Sequence, residues 1–104
     1  MAEWIDVAKV EDLPLGSRKI IKTPYAEIAI FNLHGEFFAI EDICTHDGGE
    51  LTSGQCEDDQ IICPRHGARF CIRDGRALTP PAYEDIDTFP IRVQNDMIQV
   101  AVDD

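Results

Sequence analysis

The chain has 104 residues, room for one small domain able to bury roughly 65% of its unfolded surface without staples. Nine basic side chains against twenty acidic ones give a formal net charge of −11, which argues against nucleic acid or an anionic membrane as a partner. The opening Met1-Ala2-Glu3-Trp4-Ile5-Asp6 is acidic and has no apolar run, and no segment is apolar enough to cross a membrane, so a cytoplasmic protein without a leader peptide is expected. In that reducing compartment four cysteines read as metal ligands or redox groups before disulfides.

In chain order, short apolar runs with a period of two predict strands over residues 4–8, 18–22, 26–33, 37–40, 61–63, 89–93 and 97–102. The last is the clearest, with Ile98, Val100 and Val102 on one face. Val10-Glu11-Asp12-Leu13 predicts a single helical turn that Pro14 stops. His34-Gly35 and Gln94-Asn95-Asp96 predict hairpin turns, and Glu57-Asp58-Asp59 another tip. No run sustains a helical period, so the fold class is all-β with antiparallel sheets.

Residues 43–82 break this rhythm, with Gly48-Gly49, Gly54, Gly67, Gly75 and Pro80-Pro81 marking a loop-rich stretch. All four cysteines and two of the three histidines fall in it, and of these all but Cys71 come before Arg69. Positions 23 to 64 hold nine acids and no base, whereas Arg65, Arg69, Arg73 and Arg76 follow close together. Arg65 and Arg69, beside the second of the Cys/His pairs, either meet acids on a partner or pair internally.

Cys44-Thr45-His46 and Cys63-Pro64-Arg65-His66-Gly67 are the constellation that carries chemistry. Two thiols and two imidazoles suit zinc or an iron–sulfur cluster. Common zinc sites pair cysteine with cysteine and histidine with histidine, closing four ligands on one ion, whereas each pair here is mixed. Mixed pairs suit a two-iron cluster held between two loops, each giving a sulfur to one iron and a nitrogen to the other. A structural zinc site stands as the other reading.

C-x-H followed by C-P-x-H-G in an all-β chain of this size resembles the Rieske iron–sulfur family. The resemblance extends to Leu51, Gly54, Ile61, Ile62, Phe70, Gly75, the Pro80-Pro81 loop and Pro90-Ile91-Arg92-Val93, features similar to those of the soluble ferredoxins that serve ring-hydroxylating dioxygenases. It implies one Rieske domain over 1–104, with an antiparallel β-sandwich base and a loop-rich cluster-binding subdomain at about 43–82. It further implies one 2Fe-2S cluster, with Cys44 and Cys63 on the inner iron and His46 and His66 on the outer iron near the surface.

The implied function is one-electron transfer, without catalysis, from a flavoprotein reductase to a terminal oxygenase. Contacts with both would be transient, on a monomeric carrier whose acidic surface steers encounter. The small Rieske-like subunit of a larger enzyme such as nitrite reductase is the alternative. Respiratory relatives carry a disulfide between the cluster loops, where this chain has Gly49 and Arg65. They also place serine and tyrosine hydroxyls against the sulfurs, where this chain has Ala68 and Phe70. Losing those donors places the expected potential near the low end of the family range, about −150 mV.

The remaining residues offer no second site. An oxygenase needs a mononuclear iron held by two histidines and a carboxylate, and only His34 is uncommitted. His34 reads as an exposed turn residue, and Trp4 as core or sheet surface. Cys56 and Cys71 read as free thiols, buried or partly so. Ser17 and Ser53 lack a well-placed histidine for a triad.

Overall fold

The protein is described by a computed structural model over residues 2–24, 26–44, 49–65, 67–80 and 84–103. Among the described residues, ten strands form three antiparallel sheets. β1 (Ala2–Lys9), β10 (Met97–Asp103) and β9 (Ile91–Gln94) make one, in the order β1-β10-β9. The second, β2-β3-β4-β8, comprises β2 (Arg18–Lys22), β3 (Glu27–Leu33), β4 (Glu36–Glu41) and β8 (Thr88–Phe89). β5 (Cys56–Glu57), β6 (Gln60–Ile62) and β7 (Arg69–Cys71) make the small third sheet. No helix among the described residues is long and apolar enough to cross a membrane.

The predicted turns appear where expected, for conformational reasons. His34 and Gly35 both have positive φ (54° and 93°), as do Asn95 and Asp96 (54° and 65°), the geometry that two-residue hairpins demand. Val10–Asp12 forms one 3-10 turn, and Leu13, at its end, donates its N–H to the Val10 carbonyl at 3.1 Å.

The central sheet is a wall between two cores. Along β3, Ile28 and Ile30 face a core shared with Val7, Ala39, Ile98, Val100 and Val102. Ala29, Phe31 and Leu33 face the opposite one, with Ile40, Leu51, Ile61, Phe70 and Ile72. Six consecutive β3 residues are therefore buried, and the apolar run from Ile28 to Phe31 has no polar interruption because neither face meets water. The first core binds the base of the sandwich; the second supports the loops that carry Cys44 and Cys63.

Three expectations need correction. The strand over 89–93 divides at Pro90: Thr88–Phe89 pairs with β4, and Ile91–Gln94 pairs with β10. Proline has no N–H for a ladder, and here the chain passes from one sheet to the other, with the Pro90 carbonyl accepting from Ala101 at 2.9 Å. The strand over 61–63 ends at Ile62, leaving Cys63 just beyond it. The 43–82 stretch contains the whole three-stranded sheet, of which only β6 is expected from the sequence; β5 and β7 run to two and three residues and show no alternating apolar pattern.

Candidate metal centre

Cys44 and Cys63 lie on two loops closed in the same way. The Cys44 N–H donates to the Gly49 carbonyl at 2.7 Å, and the Cys63 N–H donates to the Ala68 carbonyl at 2.7 Å. Each cysteine thus bonds the residue five positions on, turning its loop back beneath itself. Both thiols sit in the second core, 0% and 1% exposed, and neither forms a disulfide. His46 and His66, with Thr45, Asp47, Gly48, Pro81, Ala82 and Tyr83, lie outside the described residues. Among the described residues no three His, Cys, Asp or Glu side chains gather to hold a metal.

The first loop is anchored at its root. Asp42, just after β4, is 6% exposed, and its Oδ1 accepts the Leu51 and Thr52 N–H groups at 2.7 and 3.0 Å. Its Oδ2 accepts the Thr52 hydroxyl at 2.9 Å. Arg18 of β2 donates from Nη1 to the carbonyls of Thr52 and Gly54, at 2.7 and 2.9 Å. Gly54 then passes so close to β6 that a Cβ there would fall onto the Ile62 carbonyl oxygen. The exit of one cysteine loop is thereby pressed against the strand that delivers the other cysteine.

Sequence reasoning missed Asp42 and Arg18, since their partners are mostly backbone groups that only the folded chain brings near. Arg65, Arg69, Arg73 and Arg76 find partners within the chain, at or near its surface. Arg69 pairs with Glu57 at 2.6 Å, Arg73 with Asp59 and Glu36 at 3.5 and 3.6 Å, and Arg76 with Asp74 at 3.1 Å. Arg65 donates from Nη2 to the Glu50 carbonyl at 2.9 Å and to Cys63 Sγ at 3.5 Å. Ala68 and Phe70, both 0% exposed, fill the second core without a hydroxyl.

The other thiols stand apart. Cys71 is buried as expected, and it hydrogen-bonds Asp74, whose carboxyl is lowered first by the Arg76 backbone N–H and then by this thiol. Cys56 is exposed, a correction that follows from its place on the short β5; partial burial still pushes its thiol pKa up, against a smaller opposing pull from Arg18. His34 is an exposed turn residue, and the Arg92 guanidinium lies 4.0 Å over the ring of Trp4 at the surface.

This donor chemistry fits an iron–sulfur cluster. Two thiolates in an apolar core would be costly as bare charges, but two ferric irons and two sulfides neutralise them. A family model for the Rieske [2Fe-2S] domain matches residues 3–90. The chain belongs to that family.

Its cofactor is a Rieske-type 2Fe-2S cluster, and it is an electron-transfer component rather than a catalyst. The ferredoxin component of the naphthalene 1,2-dioxygenase/salicylate 5-hydroxylase systems of a Ralstonia species is 37% identical over 92 residues, 88% of each chain. The 3-phenylpropionate/cinnamic acid dioxygenase ferredoxin subunit of Photorhabdus laumondii is 42% identical over 98 residues, 92% of this chain and 91% of that one. Among solved structures, one of a complex of reduced oxygenase and oxidised ferredoxin in carbazole 1,9a-dioxygenase contains a chain that superposes with a TM-score of 0.89. That chain is 28% identical, with 94% of this chain and 92% of that one covered.

Proposed function

We propose that this Rieske protein is the ferredoxin of a multicomponent ring-hydroxylating dioxygenase system, carrying single electrons from a flavoprotein reductase to a terminal oxygenase. Cys44 and Cys63 would hold the inner iron of the cluster, and His46 and His66 the outer. The observation that carries this reading is the pair of buried thiols on two loops closed by matching 2.7 Å hydrogen bonds. When bound, such a cluster would supply reversible one-electron transfer with no bond made or broken.

The chain's own residues divide the remaining work. Leu51, Ile61, Ala68, Phe70 and Ile72 keep water from the two sulfurs. Asp42, Arg18 and Gly54 hold the loops in register. The net charge of −11 speeds encounter with basic docking faces more than it tightens binding, as a carrier between two partners needs. We place the carrier in the cytoplasm, as a monomer with 1–104 forming one Rieske domain. The nitrite reductase subunit reading has less support, since the relatives at 37% and 42% identity are ferredoxin components of dioxygenase systems.

The test is the absorption and low-temperature EPR spectrum of the purified protein before and after dithionite, with iron and sulfide counted on the same sample. A brown protein with two irons, two sulfides and a reduced signal of average g below 2 supports the reading. A colourless protein holding one zinc after anaerobic reconstitution overturns it. A tight complex with a larger enzyme throughout purification would favour the subunit reading.

A further inference from the structure

Among the described residues, Arg65 is the one arginine of its group whose guanidinium spans both cysteine loops. It starts on the Cys63 loop and reaches the Cys44 loop, where Nη2 donates to the Glu50 carbonyl at 2.9 Å. The same nitrogen lies 3.5 Å from Cys63 Sγ, within range of an N–H···S hydrogen bond. The guanidinium rests on Gly49 so closely that a Cβ there would meet its Cζ, Nη2 and Nε at 2.5–3.0 Å. Gly49 is thus the recess that lets the fork lie flat across the loops.

We propose that Arg65 is a positioning and redox-tuning residue: it clasps the two cluster loops through Glu50 and Gly49 and presents a charged donor to the Cys63 sulfur. The inference rests on the reading of Cys63 as a cluster ligand. Reduction adds one negative charge to a cluster whose thiolates share it, so a cationic donor at a ligand sulfur favours the reduced form. Ala68 and Phe70 supply no hydroxyl to the same region, so Arg65 is a sulfur donor contributed by the loop itself. Guanidinium suits both tasks, because its planar fork directs several N–H groups at fixed angles while its charge survives any working pH.

The test is the reduction potential, by redox titration of the purified cluster-loaded protein, in Arg65→Met, Arg65→Lys, Gly49→Ala and the Gly49→Ala/Arg65→Met pair. Arg65→Met is expected to shift the one-electron reduction equilibrium about tenfold toward the oxidised form, about 59 mV downward, and to speed bleaching by an iron chelator. Arg65→Lys keeps the charge but not the fork and should fall between. Gly49→Ala displaces the guanidinium with Arg65 still present, so it should lower the potential too. The pair should shift no further than Arg65→Met alone, since both changes remove one interaction.

An unchanged potential in Arg65→Met, in protein that keeps its iron, sulfide and EPR signal, overturns the inference, even if transfer to an oxygenase slows. Additive shifts in the pair overturn the claim that Gly49 acts through Arg65. A wild-type protein without iron and sulfide would instead remove the underlying cluster reading.

Discussion

Asp42 Oδ1 accepts the backbone N–H of Leu51 at 2.7 Å, across the whole of the first cysteine loop. The bond joins the residue just after β4 to the residue where the chain re-enters the second core. With the Thr52 N–H and hydroxyl on the same carboxylate, the loop is closed at its neck as well as at Cys44. Asp42→Ala leaves two buried N–H groups without an acceptor and should cost about 2–3 kcal/mol. Asp42→Asn keeps the shape and one carbonyl oxygen and should cost about half that. Urea midpoints of the cluster-loaded variants check the order, and faster loss of visible absorbance should accompany it.

Gly54 makes an equally local prediction. A methyl group at this position meets the Ile62 carbonyl, which is backbone and has no rotamer through which to yield. Gly54→Ala should therefore cost about 3 kcal/mol, the upper end of overpacking penalties. The displacement falls on the approach to Cys63, so cluster content per chain should drop along with the thermal midpoint. A variant with wild-type stability would mean the two segments are further apart than the structure places them.

The four cysteines should separate cleanly into two classes. Cys44→Ser and Cys63→Ser should abolish the visible spectrum, whereas Cys56→Ser and Cys71→Ala should retain it with full iron and sulfide. Cys71→Ala also deprives Asp74 of a hydrogen bond, so that carboxyl should titrate at higher pH than in the parent, as NMR would record. Alkylation of Cys56 should be slow at neutral pH despite its exposure and accelerate only above the ordinary thiol range, because burial disfavours its thiolate.

Glu41 sets a pH dependence. Its carboxyl is pushed up from 4.5, first by desolvation and then by Asp87 nearby. The folded protein therefore holds this proton more tightly than the unfolded chain, and stability is lost as pH rises from about 4.5 through the raised folded value. Glu41→Gln should raise the thermal midpoint at pH 7 and leave it unchanged at pH 4. The gain should stay below about 1 kcal/mol, since water screens much of this side chain.

Long elements with one or two buried faces were legible in the residues. β10 alternates because one side faces the base core, and β3 appears as a continuous apolar run because it has no solvent face at all. β5 and β7 left no trace, since they are as short as β6 but lack the paired isoleucines that mark it, and the sheet change at Pro90 was hidden inside what reads as one strand. At the site, mixed cysteine and histidine spacing pointed to the metal chemistry. Asp42, Arg18 and the reach of Arg65 did not show themselves, because their partners are carbonyls, amides and a sulfur whose positions exist only after folding.

The shared wall has one more consequence. Ile30 and Phe31 are chain neighbours, yet one is packed into the base and the other into the core beneath the thiols. Neither core can relax without dragging the strand that walls the other, so the sulfurs rest on a support that is stiff from both sides. A cluster held on such a support would be kept to nearly one shape in both of its charge states, so that gaining or losing an electron would drive little rearrangement of the protein around it.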